Sequence, residues 1–355
     1  MAEIKLMSGS ENRDDYCRTI MEDVNGKFKY ELIADFVKYP VQEWEFIDIS
    51  AGFCDKDDYV YCLLRGMGCS LLKLDNDGNV VDVIEQHEVT SPHFGCMTPD
   101  DHMLITNLYA HQLVEMTKDG KKVIRVLGSG EPSDSGCDDR KWQRERRHGA
   151  IFPTEIEEAN SNAKWSFYTM MTTITKTGGP FNKPTSCVVN PRNGEYIIGD
   201  GYGNCAVHRF DKDGNYLSTW GEPAFDEFGG YHPGPGKFIM VHGVEVDVNN
   251  RIWANDREGN AVTVFNPDGS VAAYIQGNLG QPSDLWYDGK EYMYCVGRGG
   301  YLTIFNNDIE IVAQLGYYNS DLKAHGICGN SKGDLFLFPT HANPDHQVIK
   351  LKRLD

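Results

Sequence analysis

One pattern returns through most of the chain: apolar strand, short turn, apolar strand, Gly/Asn turn, a strand ending in Phe or Leu, an Asp-Gly hairpin, and a closing strand. The hairpins are LDNDGNVVDVI, TKDGKKVIRVLG, DKDGNYLSTWG, NPDGSVAAYIQG and the weaker NNDIEIVAQLG, and Asp-Gly suits the left-handed conformations of tight hairpin turns. Units begin near Phe46, Ser91, Pro184, Val241, Pro282 and Ala324, which makes six. A repeat of about 40 residues holding four short strands is the signature of a β-propeller. The chain is therefore expected to be all-β, a six-bladed β-propeller.

The ends support closure into a ring. The last unit, from AHGICGN through DLFLFP to HQVIKLKRLD, offers three strands, while YELIADFVKYP near the N-terminus supplies a spare one. Joined in one blade, they hide edges that an open sheet must otherwise protect. This gives an N-terminal extension over 1–28 and a single propeller over 29–355, with insertions near 129–183 and 222–237. Insertions of this length in a compact repeat protein usually form lids or binding loops, and a lid is expected.

Composition narrows the function. Hydrophobic residues at 40% suffice for a large core. The formal charge of -18 opposes nucleic-acid binding, which needs a positive field. No apolar run approaches a membrane span, and MAEIKLMSGSENRDDYC lacks an apolar signal core, so no membrane association and a cytoplasmic location are expected. The 10 cysteines are scattered through strand-like segments without any CxxC pair, and read as buried thiols.

Three histidines fall at one register: His93 in SPHFG, His242 in MVHGVEV and His325 in KAHGICG. Aligning units on the first strand gives His93, Ser186, His242, Ser283 and His325, with the first unit too divergent to place. A lone strand histidine is normally a hydrogen-bonded core residue. Equivalent positions of a ring converge on its axis, however, and three neutral imidazoles with an open fourth position form the catalytic zinc pattern. One divalent ion, zinc or manganese, is expected there.

Other residues follow the second strands of their units: Arg65 in CLLRGMG, Tyr202 in GDGYGN and Arg257 in ANDREGN. Arg298 in VGRGGY and His341 in PTHANPDHQ lie in loops that face the same pocket and are candidate substrate contacts. His102, His111 and His208 sit in the ordinary strand pattern and read as structural.

The units resemble NHL repeats. The stretch IIGDGYGNCAVHRFDKDGNYLSTWG, with VHGVEVDVNNRIWANDREGNAVTVF, is similar to the lyase domain of the peptidylglycine α-amidating enzymes. The resemblance implies His93, His242 and His325 as metal ligands, Tyr202 as the catalytic tyrosine, and Arg65 and Arg257 as substrate-site arginines. Two departures accompany it. Gly326 follows the third histidine where the family has an acidic calcium ligand, and no cysteine stands beside Tyr202 or in IWANDREG for the family's disulfides. A structural calcium is therefore not expected.

That set of groups fits carbinol cleavage and equally hydroxide attack on a carbonyl. With no fused oxygenase, a small cytosolic substrate is favoured over a peptide. The best match is ring-opening C–C hydrolysis of a cyclic 1,3-diketone, as in a dihydrophloroglucinol cyclohydrolase. The alternatives are a lyase for hydroxyglycine-type carbinolamides and a non-catalytic NHL binding platform.

Overall fold

A computed structural model describes residues 18–40, 48–65, 70–138, 170–340 and 346–354. His341, the unit start near Phe46 and positions 139–169 of the first insertion lie outside the described residues.

Six sheets form the blades, five of four strands that run outward in chain order from the first strand, and one of five whose two outer strands come from the N-terminal part of the chain. The first strands are Asp48–Cys54, Pro92–Met97, Pro184–Val189, Val241–Val246, Pro282–Tyr287 and Gly326–Gly329. They pack against one another in that order, and the last returns to the first, which closes the ring. The fold is the six-bladed β-propeller expected from the repeat.

Burial follows position in the blade. Second strands such as Ile252–Asp256 and Met293–Gly297 are buried along their whole length, because both faces of a blade are covered by its neighbours. Fourth strands such as Tyr216–Trp220 and Val271–Gln276 form the outer edge, and none of their residues is fully buried. The core is accordingly divided into wedges. Tyr61, Leu63, Met103 and Ile105 share one cluster between the first two blades, Tyr294, Leu302, Ile327 and Leu337 another between the last two, and four more fill the remaining interfaces.

The sixth blade is completed from the N-terminus. Lys29–Ile33 pairs antiparallel with Ile349–Arg353, placing Leu32 opposite Leu351. Arg18–Glu22, within the stretch read as an extension, adds outside it as a fifth strand. Four hairpins turn on the glycine of Asp-Gly, with φ of +83° at Gly78, +70° at Gly120, +85° at Gly214 and +90° at Gly269. In the weaker fifth hairpin, Ile309 takes the left-handed conformation at φ +67°, at a cost of roughly 1–2 kcal/mol for a side chain with a Cβ.

Topology then assigns the two faces. First strands start on one face, where the second-to-third turns and the links between blades also lie, and the Asp-Gly hairpins occupy the other. Both insertions are links between blades, so both rise from the face where the first strands begin. The second is pinched at its base by a short parallel pairing of Glu222–Pro223 with Lys237–Phe238. No helix among the described residues is long and apolar enough to cross a membrane.

Candidate metal centre

Five of the six first strands slip their register near the start, so that one residue bulges toward the axis, and in the sixth blade His325 stands just ahead of Gly326–Gly329 in the matching place. The slip falls between Pro92 and Gly95, Val241 and Val244, Ile49 and Ala51, Pro184 and Ser186, and Pro282 and Asp284. Around the axis the bulged positions read Ser50, His93, Thr185, His242, Ser283 and His325. Two points of the sequence alignment change. Thr185, rather than Ser186, occupies the third blade's position, and Ser50 fills the first blade's. The proline preceding His93, Thr185 and Ser283 is the register mark that an alignment on strand pattern alone passes over.

Histidine and hydroxyl residues thus alternate, and the alternation has a chemical consequence. His93 Nδ1 lies 2.7 Å from the Thr185 carbonyl, His242 Nδ1 2.7 Å from that of Ser283, and His325 Nδ1 2.7 Å from that of Ser50. A carbonyl only accepts, so each Nδ1 carries the proton and each Nε2 is left with its lone pair. This is the outer-shell arrangement that orients imidazole ligands. The ring centroids stand 4.9, 4.8 and 4.8 Å apart, and one nitrogen from each ring lies within 4.8 Å of the others. Three buried, convergent imidazoles form a group able to hold a metal ion.

Electrostatics disfavours the charged form of two of them. Burial holds His242 well below the usual histidine range, helped by the Arg257 charge and the other two rings. His325 is lowered in the same way by burial, by His93, and by the Arg65 and Arg257 charges.

Tyr202 and Arg257 stand over this group. The Tyr202 hydroxyl lies 3.1 Å from His93 Nε2 and 3.2 Å from His242 Nε2. Arg257 Nη1 donates to His242 Nε2 at 2.6 Å and to the Tyr202 hydroxyl at 3.4 Å. The guanidinium is buried and its Nε is tied to Glu258 at 2.9 Å. Asp256 fixes this turn by accepting the Ile239, Met240 and Gly259 amides. Arg65 reaches the group only through its charge, and its guanidinium lies 3.6 Å from the Asp48 carboxylate. Arg298 makes no contact with the histidines among the described residues, although its backbone amide donates to Gln281 on the same face.

Three further contributors carry no motif. Phe94 follows His93 and floors the centre, stacked on His325 at 5.0 Å and edge-on to His242 at 5.4 Å. Gly326 makes room for it, since a Cβ there would stand 3.1 Å from the Phe94 ring. A side chain at position 326 would have to push that ring or Ala51, 3.2 Å from the same point, aside by a few tenths of an ångström. Met170 and Met171, from the end of the first insertion, pack with Met240 against Tyr202. The lid expectation rests on a stretch mostly outside the described residues, but these two side chains bring its end onto the site.

Beyond Phe94 the channel widens into a cavity of about 360 Å³ toward the opposite face, lined by Cys96, Cys187, Glu245, Asp284 and Trp286 among others. Burial raises the Glu245 carboxyl to about 7, and Asp284 Oδ2 accepts the Ile327 amide at 2.9 Å. Of the other histidines, His102 pairs with Glu115 and His208 with Asp200 and Thr219, both within strands, whereas His111 stands in a turn between strands at φ +54° and its Nδ1 accepts the Lys183 amide. Cys62, Cys187, Cys205, Cys295 and Cys328 are buried thiols, as read from the sequence, whereas Cys54, Cys96 and Cys137 are free thiols only partly buried.

No family model matches the chain. Over 89 residues, 25% of this chain and 9% of the relative, it is 32% identical to the mouse (Mus musculus) peptidyl-glycine alpha-amidating monooxygenase. Over 178 residues, 46% of this chain, it is 27% identical to the Xenopus laevis monooxygenase A, of which it covers 18%. The matched stretches thus span less than a fifth of either relative. Among solved structures, a gluconolactonase from Xanthomonas campestris aligns over 100% of this chain and 99% of its own, with a TM-score of 0.60 and 12% identity. A streptogramin B lyase aligns over 92% and 98%, with a TM-score of 0.55 and 12% identity. These structural likenesses establish the propeller fold, and the proteins compared are enzymes.

Proposed function

We propose that the chain is a divalent-metal-dependent enzyme in which His93, His242 and His325 hold the ion, Tyr202 moves a proton, and Arg257 and Arg65 offset negative charge. The observation that carries this reading is the set of three inward Nε2 lone pairs with the Tyr202 hydroxyl between two of them. A divalent ion there supplies Lewis acidity, lowering the pKa of a bound water toward 7 or polarising a carbonyl. Zinc and manganese both accept imidazole, so both are candidates.

The reaction we assign is hydrolytic ring opening of a small cyclic 1,3-diketone of the dihydrophloroglucinol kind. Hydroxide adds to one ring carbonyl, the adjacent C–C bond breaks, and its electron pair passes to the second carbonyl as an enolate. The enolate carbon then takes a proton and the new end is a carboxylate. Tyr202, within hydrogen-bond reach of the centre, is placed to deliver that proton, and Arg257 to hold the enolate oxygen. Burial of Arg257 strengthens its effect, because little water screens it. The gluconolactonase neighbour makes lactones a fair addition to any screen, since their opening also begins with attack on a cyclic carbonyl.

Similarity to the amidating monooxygenases favours a second reading, cleavage of a hydroxyglycine-type carbinolamide. There Tyr202 takes the hydroxyl proton, the C–N bond breaks with its electron pair left on nitrogen, the nitrogen takes up the proton, and an amide and an aldehyde separate. Elemental analysis of purified protein, with a screen of cyclic diketones, lactones and hydroxyglycine amides, separates the readings. Turnover of the amides alone overturns ring opening. Absence of stoichiometric metal, with no effect of His242→Ala, overturns both and leaves a binding platform.

A further inference from the structure

We infer that the substrate enters with a monoanionic oxygen group, and that Arg298 is the residue that binds it. The inference rests on the proposed metal-dependent reaction at the histidines and adds the charge class of what enters.

The argument begins with register. In the first, fourth and fifth blades, Leu64, Asp256 and Gly297 pair with the residue just before the axial position, namely Ile49, Val241 and Pro282. The next residue is Arg65, Arg257 and Arg298 respectively. One ring position on the site face therefore holds arginine in three blades of six. From that position a side chain of this length reaches the centre, as Arg257 does at 2.6 Å from His242 Nε2.

Counter-ions distinguish the three. Arg257 is tied to Glu258 at 2.9 Å in a buried pair, and Arg65 stands 3.6 Å from Asp48. Among the described residues the Arg298 guanidinium has neither an ion pair nor a hydrogen bond, although the residue is only partly exposed. In a chain of formal charge -18, carboxylates are plentiful, and an unneutralised arginine is not forced by composition. Gly299 and Gly300 hold its turn tightly, with the Gly299 amide donating to Gly280 at 2.7 Å, so the guanidinium is presented from a fixed backbone. A planar guanidinium binds planar oxyanions by two parallel hydrogen bonds, and a single positive charge matches a single negative one. A carboxylate satisfies both conditions, and the ionised enol of a cyclic 1,3-diketone, whose oxygens point apart, satisfies the match of charge.

The test uses the zinc-loaded full chain with three probes at constant ionic strength: 3-oxocyclohexanecarboxylate, its methyl ester and ionised cyclohexane-1,3-dione. In wild type the carboxylate should bind about tenfold or more tightly than the ester, on the scale of one charge-assisted contact. Arg298→Gln should bring the pair within about twofold, Arg298→Lys should retain most of the preference, and bound metal should stay the same. An Arg298-dependent loss for the dione instead identifies the ionised enol as the anion. If Arg298→Gln leaves both the carboxylate-to-ester ratio and the dione affinity unchanged, or if wild type does not distinguish the pair, the inference is overturned. Failure of the metal reading is separately visible as missing zinc in elemental analysis, and ligand-induced thermal stabilisation of the metal-free chain still reads the ratio.

Discussion

At the scale of the residue, the centre depends on which atom of each ring is protonated. The three carbonyl partners put the proton on Nδ1, so the Nε2 atoms share their surroundings with Tyr202 and Arg257 rather than with hydrogens of their own. Removing one imbalanced piece at a time gives distinct results. Tyr202→Phe keeps the methionine packing and the lone pairs, and should lower kcat by about a hundredfold or more with metal content unchanged, the usual scale for loss of a positioned acid or base. His242→Ala should abolish stoichiometric metal, read directly by elemental analysis. Phe94→Ala should cost about 3–5 kcal/mol in denaturant unfolding, the scale for emptying a buried aromatic site, because it joins the histidine floor to the cavity behind it. The histidines were legible in the sequence because imidazole is scarce and three copies at one register stand out. Thr185 was not, since it acts through its backbone carbonyl, which any residue supplies. Phe94 also reads as an ordinary apolar strand residue, and only the ring closure turns it into a floor.

At the scale of the element, blades were legible because each strand of the repeat has its own burial pattern and each hairpin its glycine. The strand Lys29–Ile33 was readable for the same reason, as an apolar segment without a partner nearby. Among the described residues Arg18–Glu22 pairs in the sheet with that strand alone, and nothing in its own composition announces a fifth position in a blade. Deleting residues 1–33 removes Phe28, Tyr30 and Leu32 from the last wedge and exposes the edge of Ile349–Arg353. The truncated chain should therefore aggregate or lose its cooperative transition in thermal unfolding, and a soluble protein with an unchanged melting temperature would refute this role. The Tyr202 turn offers a gentler case. A Cβ at Gly201 would lie 2.0 Å from the Val241 carbonyl oxygen, so Gly201→Ala must move either the turn or the strand that carries His242. It should lower both stability and kcat, whereas a change confined to stability would show that the turn relaxes without displacing Tyr202.

At the scale of the whole molecule, the central channel runs through two environments of opposite pH response, separated by Phe94. On one side, burial lowers His242 and His325 well below the usual histidine range; the unfolded chain binds protons there that the folded chain does not, so stability is lost as pH falls below about 6.5. On the other side, burial raises Glu245 to about 7 against the opposing Val246 and Tyr287 amides. Here the folded chain keeps a proton that the unfolded chain releases, so this contribution is full below about pH 4.5 and is lost as pH rises toward 7. The two slopes oppose each other between those limits, and a pH scan of wild type alone mixes them. Glu245→Gln isolates the second, because the amide keeps the shape and cannot ionise. Relative to wild type, the variant should gain on the order of 1–3 kcal/mol between pH 4.5 and pH 7.5, one pKa unit being worth about 1.4 kcal/mol. Urea unfolding at the two pH values, with a chelator present to remove metal linkage, measures that difference. A gap between variant and wild type that is the same at both pH values would mean that Glu245 is ionised in the folded channel, held so by the two backbone amides it accepts.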